Sequence, residues 1–429
     1  MKESFFIAIL VVLFCWWSLA GYKHFNFFNQ LGAVSYSNNV TNIANHPIVQ
    51  AAKDTINKIY ASSASGQDDN VDNSVNASST IYPAVSHIKT PKNVKAIYMS
   101  SYVAGTPSIR NKLVNMIDTT ELNAVVIDVK DNSGIMSWDG RVPDLNNFVK
   151  ELHDKNIYVI ARVASFQDPE FVKKHPELAV RSKKTGDVWR DHKGVPWIDT
   201  GSMLMWQRLV SIGEESYARG FDEINYDYIR FPTDGLLSDM VFPISGIRGL
   251  HDKRNIVKDF YKYLHDNLSV KGIPISGDVF GIITVVPTEA NTLGQDLHDA
   301  LTYFDFVAPM VYPSHFYTGT DGYKNPADHP KEIIDFSMRG AIKIVDEMVA
   351  SSSEKVASST DLSSVASSTL LVAKLRPWYQ DFDMGAIYTA PMVRAQIEAG
   401  YGDGVNSWML WDPKNKYTPD ALETRISGQ

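Results

Sequence analysis

The sequence contains little cysteine. There is one among 429 residues, Cys15, and it lies inside an apolar run near the N-terminus. The rest of the chain therefore has no disulfide, no zinc site built from cysteines and no cysteine nucleophile. A large domain can fold without such cross-links because its core buries enough apolar surface.

A basic excess is also missing. Lysine and arginine number 41 against 49 aspartates and glutamates, which makes the formal net charge −8. Nucleic-acid-binding proteins normally carry a basic excess or stripe. Aromatic residues make up 11% of the chain, and aromatics beside acids are typical of surfaces that bind sugars. We therefore expect no nucleic acid, and the composition fits a carbohydrate partner better without deciding it.

Several catalytic signatures are absent as well. Three histidines, His298, His315 and His329, are scattered rather than grouped as HExxH or His-x-His. No GxSxG motif supports a serine triad, and no glycine-rich phosphate loop follows the first predicted strand. The sequence thus predicts neither a metal nor a cofactor.

The N-terminus carries a targeting signal. The apolar run Phe5–Ala20 is long for a signal-peptide core and slightly short for a membrane span. Ser18-Leu19-Ala20 resembles a cleavage site, whereas Trp16 and Trp17 resemble an interfacial aromatic belt. We expect residues 1–23 to be a signal peptide or transmembrane anchor. The protein would then be exported, and either secreted or held on the extracytoplasmic side of the membrane.

A Ser-, Asn- and Asp-rich tract at 61–80 predicts a solvated linker, so residues 24–91 are interpreted as linker with a modest helix. From 92 to 429, apolar β-type runs alternate with helical patterns. There are eight such runs, at 94–102, 124–131, 158–166, 221–231, 274–281, 306–313, 375–382 and 404–413.

This alternation predicts an α/β fold, a (β/α)8 TIM barrel, with a doubly wound open sheet as the alternative. A Ser-rich insertion at 351–369 is expected to be a flexible loop on the face opposite the functional site.

Catalytic groups in such a barrel come from the C-terminal ends of the strands. In "FDEINYDYIRFP", alternation places Glu223, Asn225 and Asp227 on one face, with Asp227 at the barrel mouth. An ion pair with Arg230 would keep Asp227 ionised, as a nucleophile or base must be. Glu223 and its neighbour Asp222 are expected to be structural. An internal salt-bridge layer is the alternative explanation for the whole segment.

The fifth strand ends in "SGDVFG", where Asp278 is a lone acid among apolar residues. Burial raises the pKa of such a carboxyl, which suits a general acid. Alternatively, Asp278 serves as the partner of Lys130 or Arg162. Asp128 and Lys130 share a face of the second strand, where the pair would neutralise itself, and Arg162 is expected to orient carboxylates.

Flat aromatic and polar side chains at the ends of strands six to eight suit a sugar ring, through stacking and hydrogen bonds. For any single tryptophan, core packing is the alternative. The candidate substrate-binding residues are Asp128, Lys130, Arg162, Asn225, Arg230, Tyr312, His315, Trp378, Gln380, Trp408 and Trp411.

Taken together, "FDEINYDYIRFP", "SGDVFG", "VAPMVYPSHF" and "RPWYQDF" make the region from about Lys92 to Asp412 resemble a bacterial family. Its members are glycoside hydrolases assigned by similarity, with a TIM-barrel domain formerly of unknown function. The resemblance implies a barrel that acts on or binds a carbohydrate.

Two functions remain open at this point. The first is an exported glycosidase with two catalytic carboxylates, which cleaves an extracellular or cell-envelope polysaccharide. The second is a non-catalytic glycan-binding or envelope-organising protein. A metal- or phosphate-dependent hydrolase would need a ligand cluster that the sequence does not contain.

Overall fold

A computed structural model describes residues 86–247, 253–354 and 361–425. All described residues belong to one compact unit. The predicted signal or anchor segment, 1–23, and most of the predicted linker lie outside the described residues. Within the described ranges, no helix combines the length and apolar character needed to cross a membrane.

Eight parallel strands close into a barrel in which each strand pairs with the next and the last pairs with the first. All eight predicted strands are present. The pairing of the first and last strands rules out an open doubly wound sheet. The strands are β1 (Lys95–Met99), β2 (Ala124–Lys130), β3 (Tyr158–Ala164), β4 (Glu223–Asp227), β5 (Ile275–Phe280), β6 (Phe306–Met310), β7 (Trp378–Gln380) and β8 (Trp408–Trp411).

Helices cover the outside of the barrel, and an apolar stripe on a helix packs against the strands. In the second helix, for example, Leu145, Phe148, Val149 and Leu152 are buried at helical spacing. The longer helices are α1 (Pro107–Thr119), α2 (Leu145–Asp154), α3 (Met203–Ala218), α4 (Lys253–Asn267), α5 (Leu297–Tyr303), α6 (Pro330–Glu354), α7 (Asp361–Val372) and α8 (Ala390–Gly402). Shorter helices lie in the connections, at Ser101–Ala104, Pro169–Lys174, Pro243–Ile247 and Ala290–Leu293.

The Ser-rich insertion differs from its prediction as a flexible loop. Residues 351–354 end α6, and residues 361–369 form most of α7. The two helices pack against each other, and Ser368 Oγ donates to Asp346 Oδ1 at 2.9 Å. Tertiary packing of this kind stabilises helices whose intrinsic propensity is low. Residues 351–354 and 361–369 are thus helical, where a loop was expected.

The start of the barrel domain also differs from the sequence expectation, which placed the linker up to residue 91. The backbone N–H of Ile88 donates to Asp222 Oδ1 at 2.7 Å, and Thr90 Oγ1 lies 3.0 Å from Tyr158 Oη. Residues 88–90 therefore belong to the folded domain.

The lower barrel interior is filled by a polar layer centred on Glu223. Arg376 Nη1 donates to Glu223 Oε1 at 2.8 Å, and Ser276 Oγ donates to the same oxygen at 2.6 Å. Asp222 accepts bonds from the backbone N–H groups of Ile88 and Val159. Both acids have structural roles, as the sequence predicted, and the salt-bridge alternative holds for this layer.

Candidate active site

Four charged side chains converge at the C-terminal mouth of the barrel. Asp128, Arg162, Asp227 and Asp278 come from β2, β3, β4 and β5, and all four are buried. Strand alternation directs these side chains into the barrel. On β4, Asp227 points inward while Ile224 and Tyr226 face the helices. Tyr226 Oη, for example, donates to the carbonyl of Leu209 in α3 at 3.0 Å.

Arg162 is the centre of this cluster. Its Nη1 donates to Asp128 Oδ1 at 2.5 Å, its Nη2 donates to Asp227 Oδ2, and its Nε lies 3.9 Å from Asp278 Oδ2. Burial lowers the pKa of Arg162, but the charges of Asp227 and Asp128 raise it more, and the resulting pKa is well above its usual range. One guanidinium thus serves three carboxyl groups, a role consistent with the carboxylate-orienting role predicted for it.

Asp278 is 1% exposed. Its Oδ1 accepts two hydrogen bonds, from Asn225 Nδ2 at 2.9 Å and from Trp378 Nε1 at 2.8 Å. Burial, followed by the nearby charge of Asp227, raises the pKa of Asp278 to about 8. The predicted upward shift is confirmed, and this carboxyl carries a proton at neutral pH.

Asp227 is held by two donors. Its Oδ2 accepts from Arg162, and its Oδ1 accepts from the backbone N–H of Tyr228 at 2.6 Å. Tyr228 has φ 54°, in the left-handed region that non-glycine residues adopt only at a cost. This turn of the chain ends β4 and aims the Tyr228 N–H back at the carboxylate.

The predicted ion pair between Asp227 and Arg230 is wrong. Arg230 Nη2 donates instead to Asp234 Oδ2 at 2.7 Å, and its guanidinium lies over the rings of Trp197 and Phe280. The left-handed turn at Tyr228 separates Arg230 from the strand's inward face. The guanidinium that pairs with Asp227 comes from the neighbouring strand.

Lys130 is not a site residue, and it does not pair with Asp128. Its Nζ lies 3.3 Å from Asp168 Oδ2 and donates to the carbonyl of Gln167 at 3.2 Å. A bulge in β2 places Asp128 opposite Arg162 but Lys130 opposite Val163, and so turns Lys130 to the other face. Asp128 accepts from Arg162 and, at 2.5 Å, from Tyr98 Oη.

Two adjoining cavities open above these residues. The first cavity, of about 520 Å³, is lined by residues that include Tyr98, Ser100, Tyr102, Asp128, Asp131, Asn132 and Arg141. The second cavity, of about 460 Å³, is lined by residues that include Lys193, Asp227, Arg230, Asp234, Asp278, Phe280, Tyr312, His315 and Tyr317. Arg162, Tyr228 and Trp411 line both.

The residues predicted at the ends of β6, β7 and β8 divide into three groups: some line a cavity, some are buried beneath it, and Trp408 lies outside the barrel. Tyr312, His315 and Trp411 line the second cavity. Trp378 and Gln380 are buried beneath it. Gln380 Oε1 accepts from Ser314 N at 3.1 Å and its Nε2 donates to the carbonyl of Phe382 at 2.9 Å, so it ties two loops together.

Trp408 is misassigned as a sugar-binding residue. Met409 belongs to the core inside the barrel and Trp411 packs against that core, so alternation turns Trp408 outward. Its Nε1 donates to Tyr401 Oη of α8 at 3.0 Å. The core-packing alternative holds for this tryptophan.

Several lining residues were not predicted from the sequence, among them Tyr98 and four others, Asp131, Arg141, Tyr228 and Tyr317. Tyr98 could have been found, since alternation with Val94 and Ala96 makes it the last inward residue of β1. The other four lie in connections, where no periodicity indicates direction.

Among the described residues, one group of acids and histidine has atoms close enough to hold a metal. It comprises Asp296, His298 and Asp299. Arg254 already contacts both acids, with 3.0 Å to Asp296 and 2.6 Å to Asp299. None of the three lines either cavity at the barrel mouth.

Comparison with known proteins agrees with this architecture. None of the curated proteins compared with the chain matches it. A hypothetical protein of Ruminiclostridium thermocellum matches at 33% identity over 43% of this chain and 97% of its own, with a TM-score of 0.38. The glycoside hydrolase domain of PgaB (BpsB) from Bordetella bronchiseptica matches at 14% identity over 78% of this chain and 100% of its own, with a TM-score of 0.52.

The α-galactosidase of Thermus thermophilus matches at 10% identity, over 77% of this chain and 60% of its own, with a TM-score of 0.47. A family model described as "Putative glycosyl hydrolase domain" matches residues 96–417. This match spans most of the chain and nearly all of the barrel. The chain therefore belongs to the family that this model describes.

Proposed function

We propose that the protein hydrolyses glycosidic bonds of an extracellular or cell-envelope polysaccharide, with Asp278 as general acid and Asp227 as nucleophile or base. The observation that carries this proposal is the contrast between two neighbouring carboxyls. Asp278 is buried and protonated at neutral pH, with a pKa of about 8, whereas Asp227 is paired with Arg162. Glycosidases need one protonated and one ionised carboxyl at the scissile bond.

The contrast has a structural origin. The Nη2 of Arg162 donates directly to Asp227. The same guanidinium approaches Asp278 only through Nε, at 3.9 Å. The charge of Asp227 further opposes ionisation of Asp278, which suits Asp278 to the role of general acid.

The proton of Asp278 belongs on Oδ2, because Oδ1 already accepts two N–H hydrogen bonds. In the proposed step, Oδ2–H gives its proton to the glycosidic oxygen as the bond from that oxygen to the anomeric carbon breaks. The bonding electrons leave with the oxygen. Asp227 either forms a bond to the anomeric carbon or takes a proton from the water that attacks it.

The walls of the second cavity suit a sugar. Phe280, Tyr312 and Tyr317 supply flat apolar surface, and Arg230 and His315 supply polar groups beside it. Sugar rings combine an apolar face with a rim of hydroxyls, so this mixture supports carbohydrate binding.

The proposed location outside the cytoplasm rests on the apolar run at 5–20. Fractionation of cells that express the full chain, followed by protease treatment of intact cells, tests it. Protection from external protease after the outer layers are opened would contradict export.

The activity is tested by screening the full-length chain on a glycan array and for release of new reducing ends from purified polysaccharides. Asp227→Asn and Asp278→Asn are assayed alongside. Asp305→Asn is the control, since Asp305 accepts from Ile275 N at the opposite end of the barrel. We expect each site variant to lose at least about 10²-fold in hydrolysis, while the control retains it.

Hydrolysis that survives both site substitutions would overturn the mechanism. Binding of a glycan without cleavage would instead support the non-catalytic glycan-binding function.

A further inference from the structure

We propose that the two cavities form one continuous groove that binds an uncharged polysaccharide chain on both sides of the reacting bond, so that the protein cleaves the chain internally. This inference rests on the proposed hydrolytic function and specifies its substrate and mode of attack. It gives a substrate-binding role to the first cavity, which takes no part in the proposed acid–base step.

The two cavities are continuous with each other. Arg162, Tyr228 and Trp411 line both cavities, so no wall separates them. The proposed catalytic carboxyls, Asp227 and Asp278, line only the second cavity, and both lie beside Arg162. The reacting bond therefore lies at the junction, and a substrate held there extends into the first cavity.

Both ends of the proposed groove are open to solvent. The first cavity reaches solvent at Tyr102, which is 73% exposed, and the second reaches it at Tyr317, which is 56% exposed. An enzyme that removes terminal sugars needs a pocket closed at one end. Here each cavity is large enough for a small ligand by itself, and each runs out to an exposed tyrosine.

The charged side chains that line the groove are balanced in sign. In the first cavity Asp131 is paired with Arg141 and Asp128 with Arg162. In the second cavity Arg230 is paired with Asp234, and Asp227 shares Arg162. Lys193 also lines the second cavity. Apart from Asp278, four acids and four basic side chains line the two cavities together, so a polyanionic or polycationic chain finds little net attraction. The geometry therefore favours uncharged sugar units.

The exposed tyrosines are suited to hold the distal sugar units. A tyrosine ring stacks on the apolar face of a sugar, and the large exposure of Tyr102 means that its ring contributes little to the core. Substitution of Tyr102 therefore probes binding rather than folding.

The test uses oligosaccharide series from disaccharide to octasaccharide, of β-1,4-linked glucose, α-1,4-linked glucose and β-1,4-linked N-acetylglucosamine, with oligogalacturonate as the charged series. Binding to the full-length Asp278→Asn chain is measured by calorimetry, and products of the unsubstituted chain are separated by size. We expect affinity for one neutral series to rise at least about tenfold with length, and early products of intermediate size.

Tyr102→Ala and Tyr317→Ala should each lower affinity only for the longer oligosaccharides and shift the cleavage position in opposite directions. Ile387→Ala is the matched control, since Ile387 is 77% exposed and lines neither cavity.

The outcomes separate the inference from the hydrolytic function. Hydrolysis that releases only terminal sugars, or affinity that does not rise beyond the disaccharide, overturns the groove but leaves the hydrolase. Affinity that rises with length and depends on both tyrosines, without any hydrolysis, supports the groove and overturns the hydrolase. Tighter binding of oligogalacturonate than of every neutral series overturns the assignment of an uncharged substrate.

Discussion

The indole Nε1 of Trp378 donates a hydrogen bond to Oδ1 of Asp278, with 2.8 Å between the two atoms. Trp378 is 1% exposed and lines neither cavity. It therefore acts on a substrate indirectly, through side chains such as the Asp278 carboxyl that it contacts. This bond favours the ionised form of Asp278 and so opposes the effect of burial on its pKa.

Trp378→Phe is expected to move the pH dependence of hydrolysis. A general acid with a pKa of about 8 loses its proton above that pH, so activity should fall on the alkaline side of about pH 8. Loss of the indole donor raises the pKa of Asp278 further and should shift this alkaline limb upward. The measurement is kcat/KM against pH for both chains.

Trp408→Phe serves as the control for that experiment, because Trp408 bonds Tyr401 outside the barrel. Its alkaline limb should coincide with that of the unsubstituted chain. A downward shift in Trp378→Phe, or equal shifts in both variants, would show that the indole does not tune Asp278.

Asp278→Asn should change how stability depends on pH. The pKa of Asp278 is raised in the folded state, so above the unfolded pKa the unfolded chain releases a proton that the folded chain keeps. The free energy of unfolding therefore falls as pH rises, by at most ~1.4 kcal/mol per pH unit from this group, and levels off above about pH 8. The variant should lack this contribution.

Urea denaturation of both chains across the range from about pH 5 to about pH 8 measures the difference. Asp199 and Asp381 also have a raised pKa, but both chains retain them and their effects cancel. Identical pH slopes in the two chains would contradict the raised pKa of Asp278.

Arg162→Met should destabilise the fold. The substitution leaves Asp128 and Asp227 buried without their cation, and removal of one partner from such a cluster costs about 3–5 kcal/mol. The loss should be smaller in acid, where both carboxyls can take up protons. Chemical denaturation at neutral and acidic pH measures it.

The matched variant is Arg339→Met, because Arg339 is exposed and pairs with Asp403 at 3.5 Å. A surface pair of this kind contributes no more than about 1 kcal/mol. Equal losses in the free energy of unfolding of the two variants would show that the cluster around Arg162 contributes no more to stability than a surface ion pair.

Tyr228→Asn tests the left-handed turn after β4. The other non-glycine residues with positive φ among those described are Asn156, Asp321 and Asn415, types that tolerate this region. Asparagine should relieve about 1–2 kcal/mol of backbone strain, which offsets part of the packing lost with the ring. Hydrolysis should fall at least about tenfold, because the ring lines the junction of both cavities.

Tyr228→Phe accompanies it and keeps the ring. The two variants are compared by thermal unfolding and by kcat/KM. Full activity in Tyr228→Asn would show that the strained residue is not needed at the junction.

Much of this site was predictable from alternation along single strands. Asp227 and Asp278 are the inward residues near the ends of their strands, and period-2 geometry alone directs them to the barrel mouth. The upward shift in the pKa of Asp278 followed from its apolar neighbours. Alternation also makes Tyr98 an inward residue, although it was not chosen.

Pairing was not predictable in the same way. Arg230 is three residues from Asp227, yet the partner is Arg162 on β3. Strand register sets Arg162 opposite Asp128 and Asn225, and its guanidinium reaches Asp227, which lies two residues beyond Asn225 on β4. A one-residue bulge removed Lys130 from the site. Neither register nor bulge has a signal in the sequence.

The sequence by itself determined the eight strands, the barrel and the inward direction of the two proposed catalytic carboxyls, since these depend on local periodicity and on apolar neighbours. The tertiary structure alone decided which cation serves which carboxyl, which residues leave the site, and that two cavities meet at Arg162. These features depend on distances between strands and loops far apart in the chain, and local patterns do not encode such distances.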